Sequence, residues 1–470
     1  MVVDSLLAMK HELMISFIIF LLLFWKIRSD EPNPKMVITV VNGLLLLGSL
    51  FFWFEPNDVL LFNSMFKSNT LIHFQKTLLF IGMLLISGVS YTWLYRNKNL
   101  IEFYLLLLSS LLGMCFMISS ANMLMFYLGL ELSTIPLAAA ANFDLEKRKS
   151  SEAAMKLILS SAFSTALLLM GVSFLYGSTG TVLFSELSVQ LVETPLTLFA
   201  FVLIFAGFAF KISVVPFHLW TADVYEGSPV PVTAFLSVVS KAAVSFIFLT
   251  VLYQVFQSFT LSWTIALSCL AFLSIAIGNL FALRQQNFKR FLAFSAIAQV
   301  GYILVALTGS PNYAQSSIFY FLFVYMFSNI AAFGVVGIIS EQRGKEHIND
   351  YKGFYKTNKF LAWTLAIALF SLAGVPPTAG FFGKFFLLLA GASKGNYVLI
   401  VLAAFNMVIS FYYYLRVVRV IFMDESAEPI PHTEAGMFPK VALIACLLGM
   451  MVLALYGPIY EYIVKIVQPY

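Results

Sequence analysis

Fourteen apolar stretches dominate the chain, most of them about 18 residues or longer, the length at which a helix crosses a hydrocarbon core of about 30 Å. Charges and Pro or Gly breaks bound them near residues 12–27, 36–54, 74–95, 100–118, 121–142, 154–178, 195–220, 229–256, 262–283, 288–308, 313–340, 358–391, 396–422 and 438–464. With 60% of residues hydrophobic and 11% charged, a soluble fold would lack the polar surface to face water. The chain therefore reads as an all-α polytopic membrane protein of about 14 transmembrane helices. The first apolar run, 14–25, has no small-residue cleavage site and reads as a retained helix.

The net charge of +5 does not mark a nucleic-acid binder, because the basic residues lie in short inter-helix loops where they set orientation. Alternating the loops between sides puts twenty of the 28 Lys and Arg residues on one side. Five, namely Lys10, Lys67, Lys76, Lys394 and Lys465, fall on the other, and three, Lys211, Lys241 and Lys384, lie within spans. The positive-inside rule then predicts a cytoplasmic location for the twenty and an outer location for both termini. One extra or missing helix midway would destroy this asymmetry. Cys115, Cys269 and Cys446 form no metal or disulfide motif and read as small buried hydrophobes.

The run 358–391 is too long for one ordinary helix and contains Gly374, Pro376, Pro377 and Gly380, so two half-helices around a break are expected. Five spans earlier, 195–220 holds Lys211 shortly before Pro216 and His218. Interrupted helices at matching places predict two five-helix repeats, inverted because an odd number of spans reverses the second copy. Transporters place ion sites at such breaks.

Charge inside the spans is the chemical signal. Glu131, near the middle of 121–142, costs at least about 2.5 kcal/mol there unless a partner or water compensates. Pro136 deprives the Leu132 carbonyl of its usual donor and can bend the helix. Lys211 is the expected partner of Glu131: burial disfavours an ammonium and a nearby carboxylate favours it, so changing their separation would load and release a proton. Lys241 sits too deep to snorkel and has small neighbours that leave room for water; Lys384 follows the double proline, with snorkelling to the interface as its alternative reading. His218 reads either as an interfacial histidine or as a relay between lysines. Asp223 and Glu226 are expected in a turn, capping helix ends and pairing with loop cations. Ser240, Ser245, Tyr302, Tyr325, Asn329 and Asn406 are candidates for lining a hydrated path, although apolar bundles hold such residues routinely. No glycine-rich nucleotide fingerprint, Walker loop or Cys/His cluster suited to iron–sulfur, haem or copper occurs, so no redox centre is expected in this chain. The driving energy would come from another gradient or from partner subunits.

The run from Phe210 to Lys241, with Lys-Ile-Ser-Val-Val-Pro-Phe-His at its start and Val-Val-Ser-Lys at its end, resembles the antiporter-like subunits of respiratory complex I and their Mrp antiporter relatives. Glu131 between Leu130 and Leu132, the run from Lys289 to Tyr302, and Gly374-Val-Pro-Pro-Thr-Ala-Gly-Phe-Phe-Gly-Lys384 extend the match over nearly the whole chain. Within that family the pattern resembles subunit N. It has lysine at 384 where subunit M would carry glutamate, and it lacks the C-terminal extension of subunit L. Gln299 stands where some relatives carry a histidine, which speaks against a histidine relay in that span.

The resemblance implies proton conduction across the membrane, driven by NADH–quinone electron transfer elsewhere in the complex. Glu131 and Lys211 would sense neighbouring subunits, Lys241 would carry the proton centrally and Lys384 would lead to the exit. NADH, flavin, iron–sulfur clusters and quinone would belong to partner subunits, and the partners would be antiporter-like and small membrane subunits of the complex. The chain would then divide into an N-terminal three-helix segment (1–99), two repeats (100–257 and 258–424) and a C-terminal transmembrane helix (425–470). The length favours a bacterial inner membrane. An Mrp-type cation/proton antiporter subunit and a purely structural membrane spacer are the other readings.

Overall fold

The computed structural model describes residues 2–29, 32–53 and 58–467. Its helices follow the apolar runs because backbone groups in hydrocarbon must bond within their own segment. The crossing helices are α1 (Lys10–Arg28), α2 (Pro34–Ser49), α3 (Thr70–Val89), α4 (Leu100–Ile118), α5 (Met123–Ala141), α6 (Arg148–Thr179), α7a (Pro195–Ile212), with α7b (Leu219–Gly227) after a break, and α8 (Val230–Val255). They continue with α9 (Thr260–Arg284), α10 (Phe288–Leu307), α11 (Pro311–Arg343), α12a (Lys359–Ala373) and α12b (Ala379–Ala392), α13 (Tyr397–Phe422) and α14 (Met437–Leu455). Twelve are long and apolar enough to cross a membrane by themselves; α1 and the broken α12 bring the crossing segments among the described residues to fourteen. A small antiparallel hairpin, β1 (Val59–Leu61) and β2 (Phe66–Ser68), lies between α2 and α3.

The last expected span needs correction. The helix stops at Leu455, and a separate short α15 (Pro458–Val467) follows Gly457, because Pro458 lacks an N–H and cannot continue the ladder. Asp223 and Glu226 are not in a turn but on α7b. Cys269 is exposed on the outer face of α9, whereas Cys115 and Cys446 are buried.

The two breaks share one backbone design. In α7a the Val214 N–H donates to the Ala209 carbonyl (2.8 Å), and Ser213 turns left-handed at φ 68°. In α12a the Val375 N–H donates to the Phe370 carbonyl (3.0 Å), and Gly374 turns left-handed at φ 86°. Both are Schellman-type ends, which satisfy orphan carbonyls by reversing the chain at a residue with positive φ. The packing repeats as well: α4 lies along α5 as α9 lies along α10, and α6 packs on α7a as α11 packs on α12.

Close backbone approach holds α4 to α5 next to Glu131. A Cβ on Gly113 would stand 2.5 Å from the Ser133 nitrogen, and one on Gly129 would stand 2.7 Å from the Met117 nitrogen. Backbone cannot swing aside as a flexible side chain can. Gly129→Ala is therefore expected to destabilise the solubilised protein by about 1–3 kcal/mol, read as a lower melting temperature in detergent. Gly43→Ala, whose added Cβ meets nothing within 4 Å, should leave it unchanged.

Candidate functional site

Lys211 is the penultimate residue of α7a, buried where the helix ends. Its Nζ donates to Thr134 Oγ1 on α5. Thr134 has already given its own hydrogen to the Leu130 carbonyl (2.6 Å), so its oxygen is available to accept. The expected Glu131–Lys211 ion pair does not form. Glu131 is partly exposed on a face shared with the exposed Leu128, Leu132 and Ile135. Thr134, three residues on and about 60° around the helix, is buried at the inner edge of this face and meets Lys211 instead. Around Pro136 the helix remains continuous, and Ser110 of α4 donates to the Ser133 carbonyl (2.6 Å).

The α7 break supplies further polar contacts. The Trp220 indole donates to the Phe210 carbonyl (3.1 Å), and the Val215 N–H donates to Ser274 Oγ on α9 (3.1 Å). His218 is buried at the start of α7b, and its Nδ1 has no hydrogen-bond partner.

Lys241 lies on α8 directly after a π-helical turn, Leu236–Ser240. It is 2% exposed, and its Nζ has no hydrogen-bond partner. The ammonium stands 5.7 Å from the centre of the Tyr225 ring, a weak substitute for water. Nearby, the Ser237 and Tyr325 hydroxyls are 3.2 Å apart, which ties α8 to α11. Single π-helical turns recur at functional sites because they re-aim a side chain by one position.

Lys384, on α12b, is 1% exposed. Its Nζ donates to the Ala373 carbonyl (3.0 Å) at the end of α12a and stands 5.1 Å from the centre of the Tyr302 ring. Snorkelling is thereby ruled out. Gln299 Nε2 donates to the Leu372 carbonyl (2.9 Å) and to the Tyr414 hydroxyl (3.4 Å), and Tyr414 also bonds Ser295. On α11, Phe321 packs against Tyr325 (ring centres 5.9 Å apart) and faces Gly383 beside Lys384. The Lys241 and Lys384 surroundings are thus joined through α11. Phe208, three residues before Lys211 on α7a, packs against Phe248 of α8 with ring centres 4.9 Å apart. Asn406 belongs to a separate set in which its carbonyl accepts from Asn279 (3.0 Å) and Asn279 accepts from Tyr413 (3.0 Å).

Residues 120–410 match the family model described as NADH:quinone oxidoreductase/Mrp antiporter, transmembrane. A protein of Phocaeicola vulgatus named NADH-quinone oxidoreductase subunit N is 40% identical over 466 residues, 98% of each chain. One of the same name from Desulforamulus reducens is 38% identical over 89% of each. The chain belongs to this antiporter-like family. In solved structures, a chain of respiratory complex I from Thermus thermophilus with bound aureothin superposes with a TM-score of 0.81 at 27% identity, over 96% of this chain and 98% of that one. A chain of the Mrp complex of a Dietzia species shares the fold, with a TM-score of 0.88 at 18% identity over 99% and 97%.

This antiporter-like chain carries two further charged groups, of which sequence reasoning foresaw only the pairing of Asp223 and Glu226 with loop cations. The first gathers where the basic loops lie. Arg290 of α10 bonds Asp223 (2.6 Å) and Glu226 (3.0 Å), Lys156 reaches Asp223 (2.6 Å), and Lys149 reaches Glu226 (2.9 Å). Lys289, almost fully buried, pairs with Glu346 (3.2 Å) and donates to the Ser228 carbonyl (3.4 Å). A cavity of about 330 Å³ opens here, lined by Lys147, Glu226, Ser228, Lys289 and Glu346 among others. The second group is Lys76, assigned by counting to the outer-side set. It is 0% exposed inside α3 and pairs with Glu12 of α1 at 2.5 Å. Its position six residues into α3 puts it nearly two turns inside the bundle, too far for its stem to reach out.

Burial pushes the Glu346 carboxyl up, but the Lys289 charge and hydrogen bonds from Ser340, Lys289 and Asn287 outweigh it and hold the group below its ordinary 4.5. A depressed carboxyl contributes stability that is full above its unfolded value and lost as pH falls through the folded one. Glu346→Gln should therefore melt below wild type at neutral pH, with the gap closing as the medium is acidified below about 4.5; a pH series of detergent melts reads this.

Proposed function

We propose that this chain conducts protons as the subunit N member of a membrane-embedded NADH–quinone oxidoreductase, with redox chemistry confined to partner subunits. The observation that carries the proposal is Lys241, a buried ammonium without a hydrogen-bond partner, set directly after a π-helical turn. A charge in that position is costly unless it is neutralised or hydrated in turn, which suits a group that gives up and regains its proton. Identity to proteins named NADH-quinone oxidoreductase subunit N across 98% of the chain supports the assignment over Mrp-type antiport, whose likeness here is one of fold.

In this reading protons enter from the basic-loop side, through the cavity beside Lys289, Glu346 and Ser228, toward Tyr225 and Lys241. They pass along the Ser237–Tyr325 contact of α11 to Lys384 at the second break. Lys211 answers to Glu131: when the carboxylate is charged or approached by a neighbouring subunit, the ammonium is drawn off Thr134 and its field on Lys241 changes. His218, beside the break, is an accessory proton acceptor. The basic loops would face the cytoplasm of a bacterial cell, with both termini periplasmic. The repeats would span residues 100–257 and 258–424, with 1–99 and 425–470 as flanking segments. NADH, flavin, iron–sulfur clusters and quinone would be bound by neighbouring subunits, and antiporter-like and small membrane subunits would adjoin the Glu131 face.

Lys241→Ala is expected to abolish most proton pumping by inverted membrane vesicles oxidising NADH, with the complex still assembled. Glu131→Gln should weaken pumping in part. Wild-type pumping by both variants in assembled complex would defeat the proposal. Sodium efflux by the same vesicles, independent of NADH, would favour antiport instead.

A further inference from the structure

His11 and His73, two of the three histidines outside the family-matched region, have no place in the path described above. Both are fully buried, His11 at the start of α1 and His73 in the first turn of α3. Their Nδ1 atoms are 3.2 Å apart. On one flank, His73 Nε2 is 2.7 Å from Ser68 Oγ of β2, and the Ala8 carbonyl, 3.4 Å from the same Oγ, takes the Ser68 hydrogen whenever His73 Nε2 is the donor. On the other, His11 Nε2 is 3.4 Å from Thr77 Oγ1, one helical turn beyond His73 on α3. The result is an unbroken hydrogen-bonded line, Ser68–His73–His11–Thr77. The Glu12–Lys76 ion pair runs beside it, and apart from each other neither of those two groups has a hydrogen-bond partner. Among the described residues the remaining titratable neighbours are Lys10 of α1 and the buried Cys115 of α4; the Phe66, Phe51 and Phe80 rings lie on other sides.

We propose that this line is a second proton-transfer site, a relay of two imidazoles leading from the β-hairpin into the N-terminal helices. The two Nδ1 atoms can share only one hydrogen, so the line has two complete settings. In one, His73 Nδ1–H donates to His11 Nδ1, His11 Nε2–H donates to Thr77, and Ser68 donates to His73 Nε2. In the other every donor is reversed. A proton passed from Ser68 Oγ to His73 Nε2, and restored to Ser68 by water on the hairpin side, displaces the Nδ1 proton onto His11, whose Nε2 proton passes to Thr77 Oγ1 as that hydroxyl gives its own hydrogen to a second water. One proton enters, one leaves, and both rings end neutral. Glu12 balances Lys76, so the relay works beside a compensated charge rather than a bare ammonium. No group of three or more metal-ligating side chains occurs among the described residues. The proton is the ligand this chemistry suits.

The inference rests on the proposed function, since it needs a complex that moves protons. Its test uses the assembled complex in inverted vesicles, with NADH oxidation and vesicle acidification measured together over a range of pH. His11→Gln and His73→Gln keep a hydrogen-bonding side chain of similar size but cannot pass a proton on. Both should assemble and oxidise NADH, with fewer protons moved per NADH and a changed pH dependence of that ratio. A wild-type ratio and pH profile in both variants would overturn the inference and leave a static packing role. If they fail to assemble, Ser68→Ala and Thr77→Val, which remove only the hydroxyl ends, decide by the same readout. Lys241→Ala serves as reference: its failure to reduce pumping would sink the proposed function, whereas its success beside unaffected histidine variants would sink this inference alone.

Discussion

Inside a hydrocarbon layer a backbone carbonyl without a donor has no water to turn to, so an interruption in a spanning helix must bring its own partners. The α7 and α12 breaks meet that demand in parallel ways. Each ends its first half in a Schellman turn, and each then recruits a side chain for a released carbonyl: Trp220 for Phe210 in α7, and Lys384 for Ala373 in α12. In α12 the buried Lys384 itself satisfies the broken backbone. That explains how an ammonium can stay buried without a carboxylate nearby. It also fixes the position of Lys384, because the carbonyl it serves belongs to the opposite half-helix.

The halves of the bundle are coupled through α11, which is 33 residues long and buried along most of its length. Tyr325 reaches toward Ser237 and the Lys241 site, whereas Ser328 donates to Ser371 of α12a (2.7 Å) and Phe321 faces Gly383 of α12b. A displacement at one lysine therefore has a short, packed route to the next. The tight backbone seam at Gly113 and Gly129 holds α5 rigidly on α4 and leaves Glu131 on the outward stripe, where it meets whatever adjoins this face. The basic-side network of Arg290, Asp223, Glu226, Lys156 and Lys149 clamps α6, α7b and α10 at the mouth of the cavity.

The spans were legible because helix length and hydropathy are local properties. Lys241 and Lys384 were legible because they stand alone in long apolar runs, with Pro376 and Pro377 marking the second break. The partners were harder to see. Glu131 and Lys211 appeared complementary by charge, yet the rotation of α5 presents Thr134 to Lys211 instead. Lys76 looked like a loop residue because His73, Gln75 and Lys76 dilute the start of α3, although α3 begins at Thr70 and carries Lys76 inside. The signal that could have found it was Glu12 in the first turn of the first helix, an acid that could supply a carboxylate to a lysine inside the bundle. Asp223 and Glu226 were placed in a turn because Gly227 and Pro229 follow them, yet four residues of helix precede Asp223.

By itself the amino-acid sequence determined the number of crossings, their alternation, the two interruptions and three of the buried bases, Lys211, Lys241 and Lys384, because each depends on the composition of one segment against a solvent of known thickness. Only the tertiary structure decided which polar groups meet. Helical phase, the glycine seams and the left-handed turns at Ser213 and Gly374 set those meetings, and all of them join residues far apart in the chain. The lone ammonium of Lys241, the carbonyl seat of Lys384 and the imidazole pair under the hairpin are consequences of packing.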